Sequence, residues 1–96
     1  MYLILYDITE TPIRSKVVRL LENAGYERIQ FSVFIAPFNP IKNKLWSKLE
    51  LLLKETPTNK IFCLKIPKEN FYKIKTIGKF DFDLKYMTGD KSSLII

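Results

Sequence analysis

The sequence predicts a single α+β domain in which an antiparallel sheet carries two helices on one face. Three observations support this prediction. The chain has 96 residues, of which 47% are hydrophobic, so it can form one core but not a second catalytic domain. Two amphipathic helical patterns alternate with extended segments in the order β, α, β, α, β, β. The single cysteine cannot close an intrachain disulfide, so the core must form by packing, helped by association.

The first two elements have clear sequence signals. A strand is predicted over residues 2–8, where apolar side chains alternate between two faces and the segment carries an acid, Asp7. A helix is predicted over residues 12–24, because the apolar side chains there form one stripe and a glycine follows. Thr11 is a candidate N-cap, and Pro12 suits the first helical position.

The middle of the chain predicts a further extended region and a second helix. Residues 26–38 form either one long strand or two short strands bent near Gln30. Asn39 and Pro40 repeat the pattern of a cap followed by proline, and the apolar spacing after them is helical. We therefore expect the second helix to follow Pro40 directly and to stop by Pro57.

The remaining elements complete a ferredoxin-like sandwich. Residues 60–66 are predicted to be a strand, 67–70 a helical turn or a plain turn, and 71–77 another strand because its side chains alternate. We assign residues 1–78 to the ferredoxin-like domain. Residues 79–96 are predicted to form C-terminal strands that extend the sheet or cross to a second copy, with contacts to a dimer partner or another protein.

The composition narrows the classes of function. Sixteen Lys and Arg against ten Asp and Glu give a net charge of +6, which favours polyanionic partners such as nucleic acids. No apolar run reaches the length of a membrane span, so a cytoplasmic protein without a membrane partner is expected. Histidine is absent, so any hydrolysis must use carboxylate, Tyr, Lys or metal-bound water to move protons.

Asp7 is the first candidate for chemistry, because a carboxylate that closes an apolar strand must face water, a cation or a partner group. A plain strand-end acid that accepts local backbone hydrogen bonds is the alternative. One carboxylate is a poor Mg²⁺ site, but a two-fold dimer would bring two copies of Asp7 together. Glu10 either assists from the adjacent loop or is a solvated acid before the helix N-terminus.

The basic residues divide into two groups. Arg14 and Arg28 lie in the first part of the chain near Asp7, and arginine can hold phosphate with two parallel hydrogen bonds. Lys16 lies beside Arg14 in the first helix. The later lysines, among them Lys73 and Lys75, suit a surface that tracks phosphates, although such charges are also ordinary on a solvated face.

Four aromatic residues lie on or next to the predicted strands and could stack on bases: Tyr6, Phe31, Phe34 and Phe38. Aromatic residues at strand spacing more often belong to the core. We therefore expect core positions for them.

Three motifs together resemble a known family. They are the strand at residues 2–8 with Tyr6 and Asp7 near its end, the Arg14-x-Lys16 pair, and the run at 25–34, GYERIQFSVF. They are similar, in order and spacing over residues 1–78, to the second CRISPR-associated protein family, the small partner of the CRISPR adaptation integrase. The resemblance implies a ferredoxin-like homodimer, metal-dependent endonuclease activity on RNA or double-stranded DNA in some members, and a non-catalytic DNA-holding role in spacer acquisition.

The resemblance also implies roles for individual residues. Asp7 matches the metal-binding acid, which implies Mg²⁺ or Mn²⁺ shared between the two Asp7 residues of a dimer. The other matched positions linked with nuclease function are Tyr6, Arg14, Arg28 and Phe34. Two departures are visible: Lys16 stands where an arginine is often found, and Ile35-Ala36-Pro37 replaces a glycine or an acid, which leaves the substrate preference open.

Three functional hypotheses follow. The first is a metal-dependent endonuclease acting on RNA or double-stranded DNA. The second is a non-catalytic homodimeric scaffold that grips DNA and docks the CRISPR integrase. The third is a toxin-like ribonuclease of similar fold with no CRISPR role.

Overall fold

The computed structural model describes residues 1–78 of the chain. Its strands form one four-stranded sheet in the order β2-β3-β1-β4, and every neighbouring pair is antiparallel. The elements of this part of the chain, in sequence order, are β1 (Tyr2–Asp7), α1 (Thr11–Asn23), β2 (Glu27–Gln30), β3 (Val33–Ala36), α2 (Leu45–Leu53), β4 (Lys60–Lys65) and α3 (Lys68–Phe71).

This β-α-β-β-α-β order, with β1 and β3 at the centre of the sheet, is the ferredoxin-like arrangement predicted from the sequence. The predicted alternation of β1 is confirmed. Ile4 and Tyr6 lie in the core with Val17 of α1 and Leu49 of α2, whereas Asp7 is exposed. The two main helices therefore cover one face of the sheet, and Asp7 belongs to the other face.

Residues 26–38 contain two short strands rather than one long strand. A turn at Phe31 and Ser32 separates β2 from β3, and the pairing register shifts between Arg28 and Gln30. The amide of Tyr6 donates to the carbonyl of Ser32 at 3.0 Å. This bond holds the turn beside the end of β1.

The predicted starts of both helices need correction. Glu10, not Thr11, is the N-cap of α1, and its side chain makes no capping hydrogen bond. The second helix begins at Leu45 instead of directly after Pro40. The amide of Ile41 donates to Asn39 Oδ1 at 3.0 Å, so the Asn-Pro pair forms a local turn that precedes the helix.

The strand predicted over residues 71–77 is wrong. The alternative of a helical turn at 67–70 is confirmed, because α3 spans Lys68–Phe71. The backbone amides of Lys73 and Ile74 donate to the carbonyls of Asn70 and Phe71, so local turns use the groups that a strand would pair. Lys73 and Lys75 are exposed and lie outside any strand.

The predicted C-terminal strands at 79–96 lie outside the described residues. Among residues 1–78, no helix is long and apolar enough to span a bilayer.

Candidate functional site

Asp7 is the last residue of β1 and its side chain is exposed. Its partner in the adjacent strand is Lys60, the first residue of β4. Residues directly opposite in an antiparallel pair have Cβ atoms about 4.5–5.5 Å apart on one face of the sheet. The register therefore places Lys60 opposite Asp7, on the same face of the sheet. No sequence pattern marks Lys60, because its position opposite Asp7 depends on the pairing of β1 with β4.

Arg14 fixes the loop that leaves Asp7. Its guanidinium donates from Nη1 to the carbonyl of Ile8 at 3.1 Å and from Nη2 to the hydroxyl of Thr11 at 3.2 Å. Because Ile8 follows Asp7 directly, Arg14 holds the main chain next to the carboxylate. The structure thus brings together Asp7 and Arg14, two of the residues predicted for the site.

Arg28 holds the turn between β2 and β3. Its Nε and Nη2 atoms donate to the carbonyl of Phe31 at 3.2 and 3.0 Å, and Nη2 also donates to the hydroxyl of Tyr6 at 3.2 Å. The Tyr6 hydroxyl donates to the same carbonyl at 2.7 Å. A guanidinium has five N–H donors, so these bonds leave the two on Nη1 for a phosphate oxygen.

Phe34 and Tyr6 are core residues, as their strand spacing predicted. Phe34 is fully buried, and its ring lies 6.2 Å from that of Tyr6 between centroids. The guanidinium carbon of Arg28 lies 5.5 Å from the Phe34 centroid, a cation–π distance. The buried ring of Phe34 therefore supports both Tyr6 and Arg28 and does not face solvent.

Asn59 is the residue of this region that the sequence analysis missed. Its side chain is 6% exposed, and its Oδ1 accepts a hydrogen bond from the amide of Thr9 at 3.2 Å. Its Nδ2 donates to the carboxylate of Glu10. The hydrogen bonds from Asn59 and from the Thr9 hydroxyl hold the pKa of Glu10 below its ordinary value of 4.5. Asn59 therefore joins the start of β4 to the loop after Asp7.

These contacts separate the two acids that the sequence placed near a metal. The Glu10 carboxylate is held by Asn59 and Thr9, whereas Asp7 faces solvent. Within residues 1–78 no group of three His, Cys, Asp or Glu side chains could hold a metal ion. An exposed aspartate suits Mg²⁺ or Mn²⁺ as one ligand among waters and phosphate oxygens, so one chain supplies part of such a site.

The lysines predicted to bind nucleic acid are accessible. Lys16 is exposed on α1, two residues after Arg14. Lys73 and Lys75 are exposed after α3. Their charges are therefore available to a polyanion.

The fold and the residues around the end of β1 define a class of protein. It is a small ferredoxin-like protein with an exposed acid at the end of its first strand, between loops held by two arginines. The chain also matches the family model described as CRISPR associated protein Cas2 over residues 1–74. The chain belongs to the Cas2 family, as the sequence motifs predicted.

Individual relatives agree with this assignment. The chain is 51% identical over 41 residues to the "CRISPR-associated endoribonuclease Cas2 2" of Pyrobaculum aerophilum, which covers 42% of this chain and 45% of that protein. It is 38% identical over 40 residues to the "CRISPR-associated endoribonuclease Cas2 1" of Archaeoglobus fulgidus, covering 42% and 43%. These alignments span less than half the length of either relative.

A solved structure extends the likeness to most of the chain. The crystal structure of Streptococcus pyogenes Cas2 at pH 6.5 has a TM-score of 0.62 and 26% sequence identity to this chain. The alignment covers 80% of this chain and 98% of that one.

Proposed function

We propose that this protein is a metal-dependent endonuclease that cleaves RNA as a homodimer. The exposed Asp7 at the end of β1 carries this proposal, because it is a free carboxylate beside a lysine and between two loops held by arginines. Two relatives whose names contain "endoribonuclease" support RNA as the first substrate to test.

The sheet face that carries Asp7 supports the homodimer. Phe62 and Leu64 of β4 are 58% and 52% exposed, and they pair with Leu5 and Leu3 of β1, which are only half-buried. An apolar sheet face of this kind marks an interaction surface. A second copy of the chain, packed on it about a two-fold axis, would cover this face and bring the two Asp7 residues toward each other.

In this dimer the two Asp7 carboxylates would hold Mg²⁺ or Mn²⁺. Such an ion stabilises developing negative charge on a phosphate oxygen and lowers the pKa of a water molecule. Arg14 and Arg28 keep the loops beside Asp7 in place through the carbonyls of Ile8 and Phe31. Their remaining donors, with the charge of Lys60, would bind the phosphate oxygens.

A second candidate is a non-catalytic homodimer that holds double-stranded DNA and docks the CRISPR integrase. The net charge of +6 favours it, because such an excess supports binding to duplex phosphates whatever the sequence. The affinity should then fall steeply as the salt concentration rises. The family match favours both of these candidates over the toxin-like ribonuclease.

Cleavage assays on matched substrates test the proposal. The purified protein is incubated with an end-labelled RNA and with duplex DNA of the same sequence, in Mg²⁺, in Mn²⁺ and in excess chelator. We expect cleavage of RNA with either ion and none with chelator, because the proposed chemistry needs an ion held by the Asp7 carboxylates. Cleavage that resists the chelator would contradict the metal assignment. Binding of duplex DNA without cleavage of either substrate would favour the scaffold.

A further inference from the structure

Phe31 is an exposed aromatic side chain that the proposed chemistry leaves without a role. It is 85% exposed, in the turn between β2 and β3. The bond from the Tyr6 amide to Ser32 places this turn beside the end of β1, where Asp7 lies. The turn that carries this exposed ring therefore lies beside the strand that ends at Asp7.

The backbone under this ring is held unusually firmly for a turn. The carbonyl oxygen of Phe31 accepts hydrogen bonds from the Tyr6 hydroxyl and from two nitrogen atoms of Arg28. The Arg28 guanidinium carbon also lies 6.0 Å from the Phe31 ring centroid. A cation near an aromatic ring is attracted by the π-electrons, so Arg28 restrains the ring as well as the carbonyl.

We propose that Phe31 is a base-stacking site for single-stranded nucleic acid. The ring offers a flat apolar surface to one unpaired base, and Arg28 provides positive charge for the adjoining phosphate. A base within a duplex has both faces covered by its neighbours, so a paired strand cannot use this ring without unstacking. The inference rests on the proposed function, since it names how that site would hold its substrate strand.

The anchoring distinguishes Phe31 from other exposed apolar residues. A single exposed apolar side chain needs no explanation by itself. Leu51 of α2, for example, is 73% exposed on the outer side of a helix. Phe31 differs because its carbonyl is held by the side chains of Tyr6 and Arg28.

The test measures binding in excess chelator, so that no cleavage is needed. The probe is a single-stranded RNA oligonucleotide carrying one 2-aminopurine, and the comparison is the same sequence paired in a duplex. The variants are Phe31→Ala, Phe31→Leu and Phe31→Trp, with Leu51→Ala as the matched control. The anchoring hydrogen bonds use the main-chain carbonyl of residue 31, so each variant retains them.

We expect Phe31→Ala and Phe31→Leu to bind the single strand about tenfold more weakly or worse and to lose the quenching of 2-aminopurine. Phe31→Trp and Leu51→Ala should keep the parent affinity, and the duplex should bind all the variants equally.

The stacking site is wrong if the parent does not bind the single strand, or if Phe31→Ala binds it like the parent. It is also wrong if Leu replaces Phe as well as Trp does, or if Phe31→Ala changes the molecular mass of the assembly, which would place the ring in an interface between chains. Because cleavage is never read, these outcomes are independent of the catalytic proposal.

Discussion

At the scale of single residues, the four aromatic side chains on or next to the predicted strands have different surroundings. Tyr6 and Phe34 lie on strands and are buried, as alternation predicts, whereas Phe31 and Phe38 are exposed. Strand alternation assigns faces only within a strand, and Phe31 falls in the turn. The expected core position was therefore wrong for Phe31, which lies in the turn, and for Phe38, which follows the end of β3.

Asn59 could not be identified from the sequence for a different reason. Its partners, Thr9 and Glu10, lie about fifty positions earlier in the chain. No periodicity or spacing marks such a residue, because its role depends on tertiary contact alone. A buried polar side chain with several partners is visible only once the fold is known.

Replacing this residue by alanine should destabilise the fold. Asn59→Ala removes the hydrogen bond that the Thr9 amide donates to Asn59, so we expect a loss of about 0.5–1.5 kcal/mol in unfolding free energy at pH 7. The contribution from ionised Glu10 is present above its ordinary pKa of 4.5 and disappears as the pH falls through its lowered pKa. The difference between parent and variant should therefore shrink in acid. Urea unfolding at pH 7 and in acid measures this difference in stability. Thr58→Ala, at an exposed neighbouring position, is the control. Equal midpoints for parent and Asn59→Ala at pH 7 would contradict this account.

At the scale of elements, the errors occur where local hydrogen bonds compete with a regular pattern. Asn39 accepts from the amide two residues later, and Asn43 does the same for Leu45. These short turns delay α2 to Leu45, although the apolar spacing is helical from Ile41. The alternation at 71–77 failed similarly, because α3 and the turns after it use the backbone amides there.

The start of α2 contains a backbone conformation that can be improved. Lys44, its N-cap, has a φ of 64°, a left-handed value that favours glycine. We expect Lys44→Gly to leave stability unchanged or to raise it by up to about 1 kcal/mol, because relief of strain opposes the greater freedom of the unfolded chain.

Lys42→Gly is the matched control, because it removes the same charge at a position where φ is not positive. It should be destabilising relative to Lys44→Gly. Thermal unfolding of both variants decides the matter, and the reverse order of melting temperatures would refute the assignment of strain to Lys44.

At the scale of the whole molecule, the sequence predicted the ferredoxin-like arrangement because hydrophobic periodicity determines which elements form and which faces they bury. The family resemblance also selected Asp7, Arg14 and Arg28 as candidate site residues. It could not show that Lys60 lies opposite Asp7, or that the two arginines bind backbone carbonyls. Those facts depend on strand register and on side-chain conformations.

The exposed sheet face gives a test of association. Phe62→Glu places a charge on the apolar face without disturbing the helix-covered core, since Phe62 is 58% exposed. We expect light scattering to give twice the 11.3 kDa chain mass for the parent and the single-chain mass for this variant. Leu51→Glu on α2 is the control and should remain dimeric. A parent that is monomeric at micromolar concentration would exclude this interface.

The central claim is that Asp7 enables cleavage, and Asp7→Asn tests it most directly. This change removes the negative charge while nearly preserving shape, and the side chain is exposed, so the fold should be retained. Glu50→Gln, an exposed acid on α2, is the matched control.

The measurement is Mn²⁺-dependent RNA cleavage, with binding of the same RNA in chelator recorded alongside. The account predicts that Asp7→Asn cleaves at background level and binds RNA at least as well as the parent, whereas Glu50→Gln matches the parent in both. Undiminished cleavage by a folded Asp7→Asn variant would contradict it.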